Sequence, residues 1–492
     1  MKVTINGITR EAAAGCLLSE LILPGELELP CGGDGRCGKC RVTAHGALSE
    51  PSDREKHLLG NAIHNGCRLA CMTRAEGDCT VVTESADAVV CTDGARCIDL
   101  CSPAFTQFGA AVDIGTTTLA ARLFDRDGRC IAEAGAKNPQ SAFGADVISR
   151  IEAALAGKGR ALAGCIREAV SRLLVKMADA AGILPEEIDA VVITGNTTML
   201  HLFTETSPAA LARAPFKAER LFGETIPAAE LSLPTTGEVY LPPCIAAFLG
   251  ADTVTAALAS GFFDGDTRTR LLADIGTNGE LLLSHGGKLY ACSTAAGPAF
   301  EGAGISMGMG GRPGAIDHVT VSDVTLHAHV IGDVPPTGIC GSGIVDAAAC
   351  LLELEILDET GFLEDGDAQI APPVVLTQED IRKIQLAKSA IHAGIRTLLH
   401  TAGASAAGTA ELVIAGGFGS CLDPENAGRI GLFPPELSSR ANAVGNGALT
   451  GAAMLLDTGR RPACAKFCRR VQMSELAANP VFIREYTEQM LF

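Results

Sequence analysis

Apolar and polar residues alternate along Lys2–Ile5 and Ile8–Glu11 on either side of Asn6-Gly7, which predicts a β-hairpin at the amino end. The pattern then predicts a short helix over Gly15–Leu23, ended by Pro24-Gly25, and a strand over Arg41–Ala44. Ser52-Asp-Arg-Glu55 reads as a capping box that opens a helix to about Asn65, with Gly66 as its stop. A strand over Asp78–Thr83 closes this first unit, and residues 31–40 between its elements are rich in glycine and cysteine.

From Phe108 the periodicity changes to apolar strands separated by Gly/Thr turns and followed by long alanine- and leucine-rich helices. The pattern occurs twice. Ala110-Ala-Val-Asp-Ile-Gly-Thr-Thr-Thr118 has a near copy in Leu271-Leu-Ala-Asp-Ile-Gly-Thr-Asn-Gly279, 161 residues on by Asp113 and Asp274. Each leads into a second apolar strand, Leu119–Phe124 or Leu281–Ser284. Helical periodicity over about 145–182 and 377–402, with strands at 190–194 and 411–415, fits a duplicated α/β domain. The predicted organisation is a unit over 1–86, a linker over 87–106, a first lobe over 107–265, and a second lobe over 266–492 with a C-terminal helical extension.

Composition narrows the function. At 492 residues the chain has room for about three units. Its 39 basic and 57 acidic residues give −18, against a nucleic-acid surface or a polybasic membrane face. No run of about 18 apolar residues and no signal-peptide core occurs, so the expectation is a cytoplasmic protein. Nineteen cysteines, an odd number spread over a long chain, point to a reduced compartment and a metal cluster rather than a disulfide framework.

Cys31, Cys37, Cys40 and Cys71 are spaced C-x5-C-x2-C-x30-C, the first three within Cys-Gly-Gly-Asp-Gly-Arg-Cys-Gly-Lys-Cys. Glycines let such a loop wrap an inorganic cluster and aim backbone N–H groups at its sulfurs. Cys67, four residues before Cys71, competes for the fourth place. Cys16 and Cys79 read as small apolar packing. Cys91, Cys97 and Cys101 match no cluster spacing, and Cys464 with Cys468 reads as an incidental surface pair.

Neither a P-loop nor a G-x-G-x-x-G at a strand-to-helix turn occurs. The paired Asp-x-Gly-Thr turns instead offer backbone N–H and hydroxyl donors to phosphate. Their aspartates, Asp113 and Asp274, suit Mg²⁺ held through water, and either could orient the attacking water. Thr116 and Thr117 form the first phosphate set, and Gly276, Thr277 and Asn278 the second. Glu280 is an alternative base or a residue of the core, and Asn196 and Thr197 end a buried strand. The strand Leu412–Ala415 breaks into glycines, of which Gly416, Gly417 and Gly419 are expected to line adenosine.

The cysteine set resembles that of [2Fe–2S] ferredoxins with a β-grasp fold, in which the last cysteine of the short segment is the ligand; this favours Cys71 over Cys67. The two turns and the glycine strand resemble the acetate and sugar kinase, Hsp70 and actin superfamily, a two-lobed RNase H-like fold. A ferredoxin unit ahead of this ATPase fold resembles the reductive activators of corrinoid-dependent enzymes. Asn138-Pro-Gln140, Gly195-Asn-Thr-Thr-Met199, Ala296-Gly-Pro-Ala-Phe-Glu-Gly302, Cys340-Gly-Ser-Gly-Ile-Val-Asp346 and Gly445-Asn-Gly447 look like that family too. The resemblance implies ATP-driven transfer of one electron from the cluster to Co(II) in a corrinoid protein of a methyltransferase system, giving Co(I). It also implies a low-potential electron donor, and Ser293 or Thr294 near cobalt. A homodimer is one option, although the short linker leaves little room for a separate dimerisation domain. Two other readings compete: a small-molecule kinase with a redox-sensing ferredoxin unit, and a plain electron-transfer module of a larger reductase.

Overall fold

A computed structural model describes residues 1–22, 27, 29, 33–36, 38–83, 96–364, 366–416 and 421–492. The first unit comprises β1 (Lys2–Ile5), β2 (Ile8–Glu11), α1 (Leu18–Leu21), β3 (Arg41–Leu48), α2 (Asp53–Leu59), β4 (Cys67–Leu69) and β5 (Ala75–Thr83). They form a five-stranded sheet in the order β2-β1-β5-β3-β4, with β1 parallel to β5 and the other pairings antiparallel. Val3, Ile5, Leu18, Val42, Leu69 and Val81 make its core.

The helix expected from Ser52 to Asn65 is α2 followed by a 3-10 stretch, Gly60–Asn65, that stops at Gly66. Only half of the expected capping box forms. Ser52 accepts from Glu55 N at 3.2 Å, but the Glu55 carboxylate turns inward. There it accepts from Arg68 Nε at 2.9 Å, Leu69 N at 2.8 Å and Thr73 Oγ1 at 3.1 Å. Burial pushes its pKa up, and these donors outweigh burial and hold it below the usual range. A buried carboxylate thus fixes the segment on both sides of Cys71.

The first lobe contains β6 (Phe108–Ile114), β7 (Thr118–Phe124), β8 (Cys130–Lys137), α3 (Val147–Ala153), α4 (Gly159–Ala181), β9 (Ile188–Gly195), α5 (Thr197–Phe203), β10 (Glu224–Pro227), β11 (Glu238–Leu241) and α6 (Ala251–Ala259). The second contains β12 (Arg270–Ile275), β13 (Gly279–His285), β14 (Lys288–Thr294), β15 (Ala315–Ser322), β16 (Thr325–Val330), β17 (Gly338–Ile339), α7 (Gly341–Glu353), β18 (Ala368–Ala371), β19 (Val374–Leu376) and α8 (Gln378–Ala402). It continues through β20 (Glu411–Ala415), α9 (Pro424–Arg429), β21 (Ala441–Ala443), α10 (Gly447–Met454), α11 (Arg461–Arg470), β22 (Val471–Met473) and α12 (Pro480–Glu488).

The large sheets run β10-β11-β9-β6-β7-β8 and β21-β20-β12-β13-β14-β22. In each, the strand carrying Asp-Ile-Gly-Thr is antiparallel to the next strand in sequence and parallel to a later one, β9 or β20. The duplicated sequence therefore folds as a duplicated topology. β6 and β12 are apolar almost throughout because both faces of each sheet are covered. α4 covers the outer face of the first sheet and α8 that of the second, while α6 and α10 pack together between them over Val254, Ala257, Leu449 and Ala453.

Residues 96–106, within the stretch read as a linker, pack on the lobes. Ile98 and Phe105 are buried in the inter-lobe core, and Thr458 N donates to Ser102 O at 2.9 Å. Cys464 is fully buried rather than at the surface. Among the described residues no helix is long and apolar enough to cross a membrane.

Candidate functional site

Two places carry the predicted residues. In the first unit, Cys40 just precedes β3 and Cys71 lies two residues beyond β4, and their sulfurs are 3.2 Å apart. The Cys71 contact draws the Cys40 thiol down to about 7 against burial, which raises it. Gly33, Gly35 and Gly38 have positive φ, and the Cβ that Gly33 lacks would lie 3.9 Å from Cys71 Cβ. Gly33 thus lies beside Cys71. Cys31 and Cys37 lie outside the described residues, as does Cys91. Cys67 is half-buried within β4, in register with Thr43.

The second place is a cleft of about 250 Å³ between the lobes, lined by both Asp-Ile-Gly-Thr turns. β6 delivers Asp113 beside Thr194 of β9, and β12 delivers Asp274 beside Ala415 of β20. The turns can come this close to the neighbouring strands only because those strands end in glycine. A Cβ on Gly195 would lie 2.6 Å from Ile114 O, and one on Gly416 would lie 2.3 Å from Ile275 O. Both have positive φ, 156° and 117°. Gly416 lines the cleft; Gly417 and Gly419 lie outside the described residues.

The paired turns are not identical in use. Thr116 Oγ1 accepts from the Asn196 side-chain amide at 3.1 Å, and Asn196 also caps α5 through Met199 N at 2.9 Å. Thr117 donates to Glu301 Oε2 at 3.3 Å, and Thr277 donates to the same oxygen. Glu301 therefore joins the turns of the two lobes. Asp274 faces Glu280 across the β12–β13 pair, whereas Asp113 faces Ala120 across β6–β7.

Asp113, Asp252, Asp274, Glu280 and Glu301 line one cavity, and among the described residues no lysine or arginine does. Burial lifts Asp113 to about 7, helped by the Asp252 charge and opposed by the amide of Asn446. Burial, then Asp252, Asp113 and Glu301, lifts Asp274 to about 8. Burial lifts Asp252 to about 6 and carries Glu280 well above the carboxylate range. Carboxylate oxygens are the donor type a hard divalent cation takes, but among the described residues no three of them come together as a metal-binding group.

Sequence reasoning missed Glu301, Asp252 and Asn446. Glu301 lies in the Ala296–Gly302 segment and Asn446 between two glycines, both noted as segments without a role for these side chains. Thr294 is buried, with its hydroxyl donating to Gly279 O at 3.3 Å, so in this arrangement it presents no surface to a partner. Ser293, half-buried, is paired with Glu280 in β14.

Residues 108–264 match the family model described as the RACo middle region, and residues 268–492 that of the C-terminal domain of RACo, the ASKHA domain. The chain is 35% identical over 421 residues to the corrinoid activation enzyme RamQ of Eubacterium limosum, covering 78% of this chain and 70% of that one. It is 26% identical over 361 residues to the [Co(II) methylated amine-specific corrinoid protein] reductase of Methanosarcina barkeri, covering 67% and 66%. Among solved structures it resembles a reductive activator for corrinoid, iron-sulfur protein, with a TM-score of 0.73 and 27% identity over 100% of this chain and 98% of that one.

Proposed function

The chain belongs to the RACo family, and from that membership we propose that it is an ATP-dependent reductive activase of a corrinoid protein. It returns inactive Co(II) to Co(I) by delivering one electron. The observation that carries the reading is the presence in one chain of a close Cys40–Cys71 thiol pair and a cleft lined by both Asp-Ile-Gly-Thr turns.

The first unit serves as a β-grasp ferredoxin domain in which Cys31, Cys37, Cys40 and Cys71 hold a [2Fe–2S] cluster. The fit rests on the 3.2 Å Cys40–Cys71 sulfur separation and on Gly33 beside Cys71. When bound, such a cluster supplies single electrons at about −400 mV. Thiolates suit it, and the Cys71 contact favours the thiolate form of Cys40.

In the cleft, Thr116, Thr117, Gly276, Thr277 and Asn278 bind phosphate oxygens, and Gly416, Gly417 and Gly419 pack against adenosine. Asp113 and Asp274 would hold Mg²⁺ through water, the ion supplying positive charge against the phosphates. Asp113 or Asp274 also orients the attacking water, accepting its proton as it approaches the γ-phosphate. Asn196 and Asn446 keep the first turn and Asp113 in place by hydrogen bonds. The Co(II)/Co(I) couple of a corrinoid is harder to reduce than a plant-type cluster, so the electron moves uphill unless ATP binding and hydrolysis contribute. One chain keeps the electron source near the docked cobalt at high effective concentration.

Mg²⁺-dependent release of inorganic phosphate from ATP, stimulated by the corrinoid protein and without a phosphorylated small molecule, is the expected outcome of an activity assay. Appearance of a phosphorylated metabolite would favour a kinase instead.

A further inference from the structure

Glu301 is held by the two hydroxyls that a triphosphate needs. Thr117 of the first lobe and Thr277 of the second both donate to its Oε2. A threonine hydroxyl has one proton to give, so each can serve the carboxylate or a phosphate oxygen but not both. Two anions also repel each other in a buried cleft.

The displaced carboxylate has somewhere to go. Arg150 of α3 is fully buried; its Nε donates to Gly144 O at 3.0 Å and its Nη1 to Met199 Sδ at 3.4 Å, while Nη2 has no acceptor. The Arg150 and Glu301 charges lie within electrostatic reach of each other. The backbone around Glu301 is anchored, with Ala299 and Phe300 buried in the core of the second lobe, so the movement is the carboxylate's own. The chain there forms a short turn, Pro298–Glu301, followed by Gly302 and Gly304 with φ of 75° and 80°. Beyond them the loop is fixed as well, because Ser306 N donates to Asp380 at 2.8 Å at the start of α8. The turn packs against α7 and α8.

We propose that Glu301 is a phosphate-sensing latch: bound triphosphate takes the Thr117 and Thr277 hydroxyls, and the Glu301 side chain swings toward Arg150. Glu301 is thus a positioning residue that holds the turns of the two lobes together until nucleotide takes its place. This rests on the ATP reading of the cleft.

The test uses the full-length protein and its Glu301→Gln and Glu301→Ala variants, with adenosine, ADP and ATP as probes in the presence of Mg²⁺. Neither variant has an anion to displace, so both should bind ATP about tenfold more tightly than the wild type, a gain typical of removing one charge-assisted contact. The gain should shrink for ADP and vanish for adenosine. Wild-type ATP binding with equal or weaker binding by both variants would overturn the latch alone. Failure of the wild type to bind ATP would overturn the ATP reading, and the latch with it.

Discussion

Asn446 donates its side-chain amide to Asp113 Oδ2 at 3.0 Å while its own carbonyl oxygen caps α10 by accepting from Leu449 N at 2.7 Å. One side chain thus ties a first-lobe carboxylate to a second-lobe helix. Asn446→Asp keeps a good helix cap but replaces the donor with an anion facing Asp113. ATP hydrolysis should fall by about 10-fold or more, in line with losing a charge-assisted bond and gaining repulsion. Helix content by circular dichroism should stay the same. Wild-type hydrolysis rates in this variant would show that the inter-lobe bond is not used.

The crowded carboxylates set activity against stability. Asp274, ordinarily near 3.8, is raised to about 8, so the folded protein holds a proton that the unfolded chain releases. Its contribution to stability is therefore complete below about pH 4 and is lost as pH rises toward 8. Asp274→Asn removes that loss: without Mg²⁺ its melting temperature should exceed the wild type's by an amount that grows from pH 5 to pH 8. Its ATPase should fall by about 10²-fold, an ordinary loss for one electrostatic contact in a closed site. Asp113→Asn should behave alike. Melting curves against pH, paired with phosphate release, check both halves; full activity in both variants would end the nucleotide-cleft account.

For the thiol site, Cys71→Ala in the full-length protein should abolish the visible absorption of an iron-sulfur cluster and lower bound iron and sulfide together. Cys67→Ala, altered within β4, should keep both. The reverse pattern would move the fourth ligand to Cys67.

The duplicated turns were legible in the sequence because their chemistry lies in short contiguous motifs with fixed offsets. The helix from Thr377 was legible too: it is capped by Thr377 and runs Gln378–Ala402. Glu55 was half legible. The Ser52 cap follows from local spacing, but a carboxylate three residues on has no local sign that Arg68, Leu69 and Thr73 will claim it. Asn446, Asp252 and Glu301 were illegible for the same reason. Each looks locally like a helix cap, a first-turn acid or a loop residue, and only tertiary packing brings them around Asp113 and Asp274.

Coupling of the two sites is the central claim, and it is read most directly from the cobalt spectrum. Corrinoid protein, this protein and a chemical reductant are mixed without oxygen, with and without Mg²⁺-ATP. The account predicts a reduced cluster in both cases but the Co(I) absorption only with ATP, and none with ATP in either the Cys71→Ala or the Asp274→Asn protein. Co(I) appearing equally fast without nucleotide would contradict it and leave a plain electron carrier.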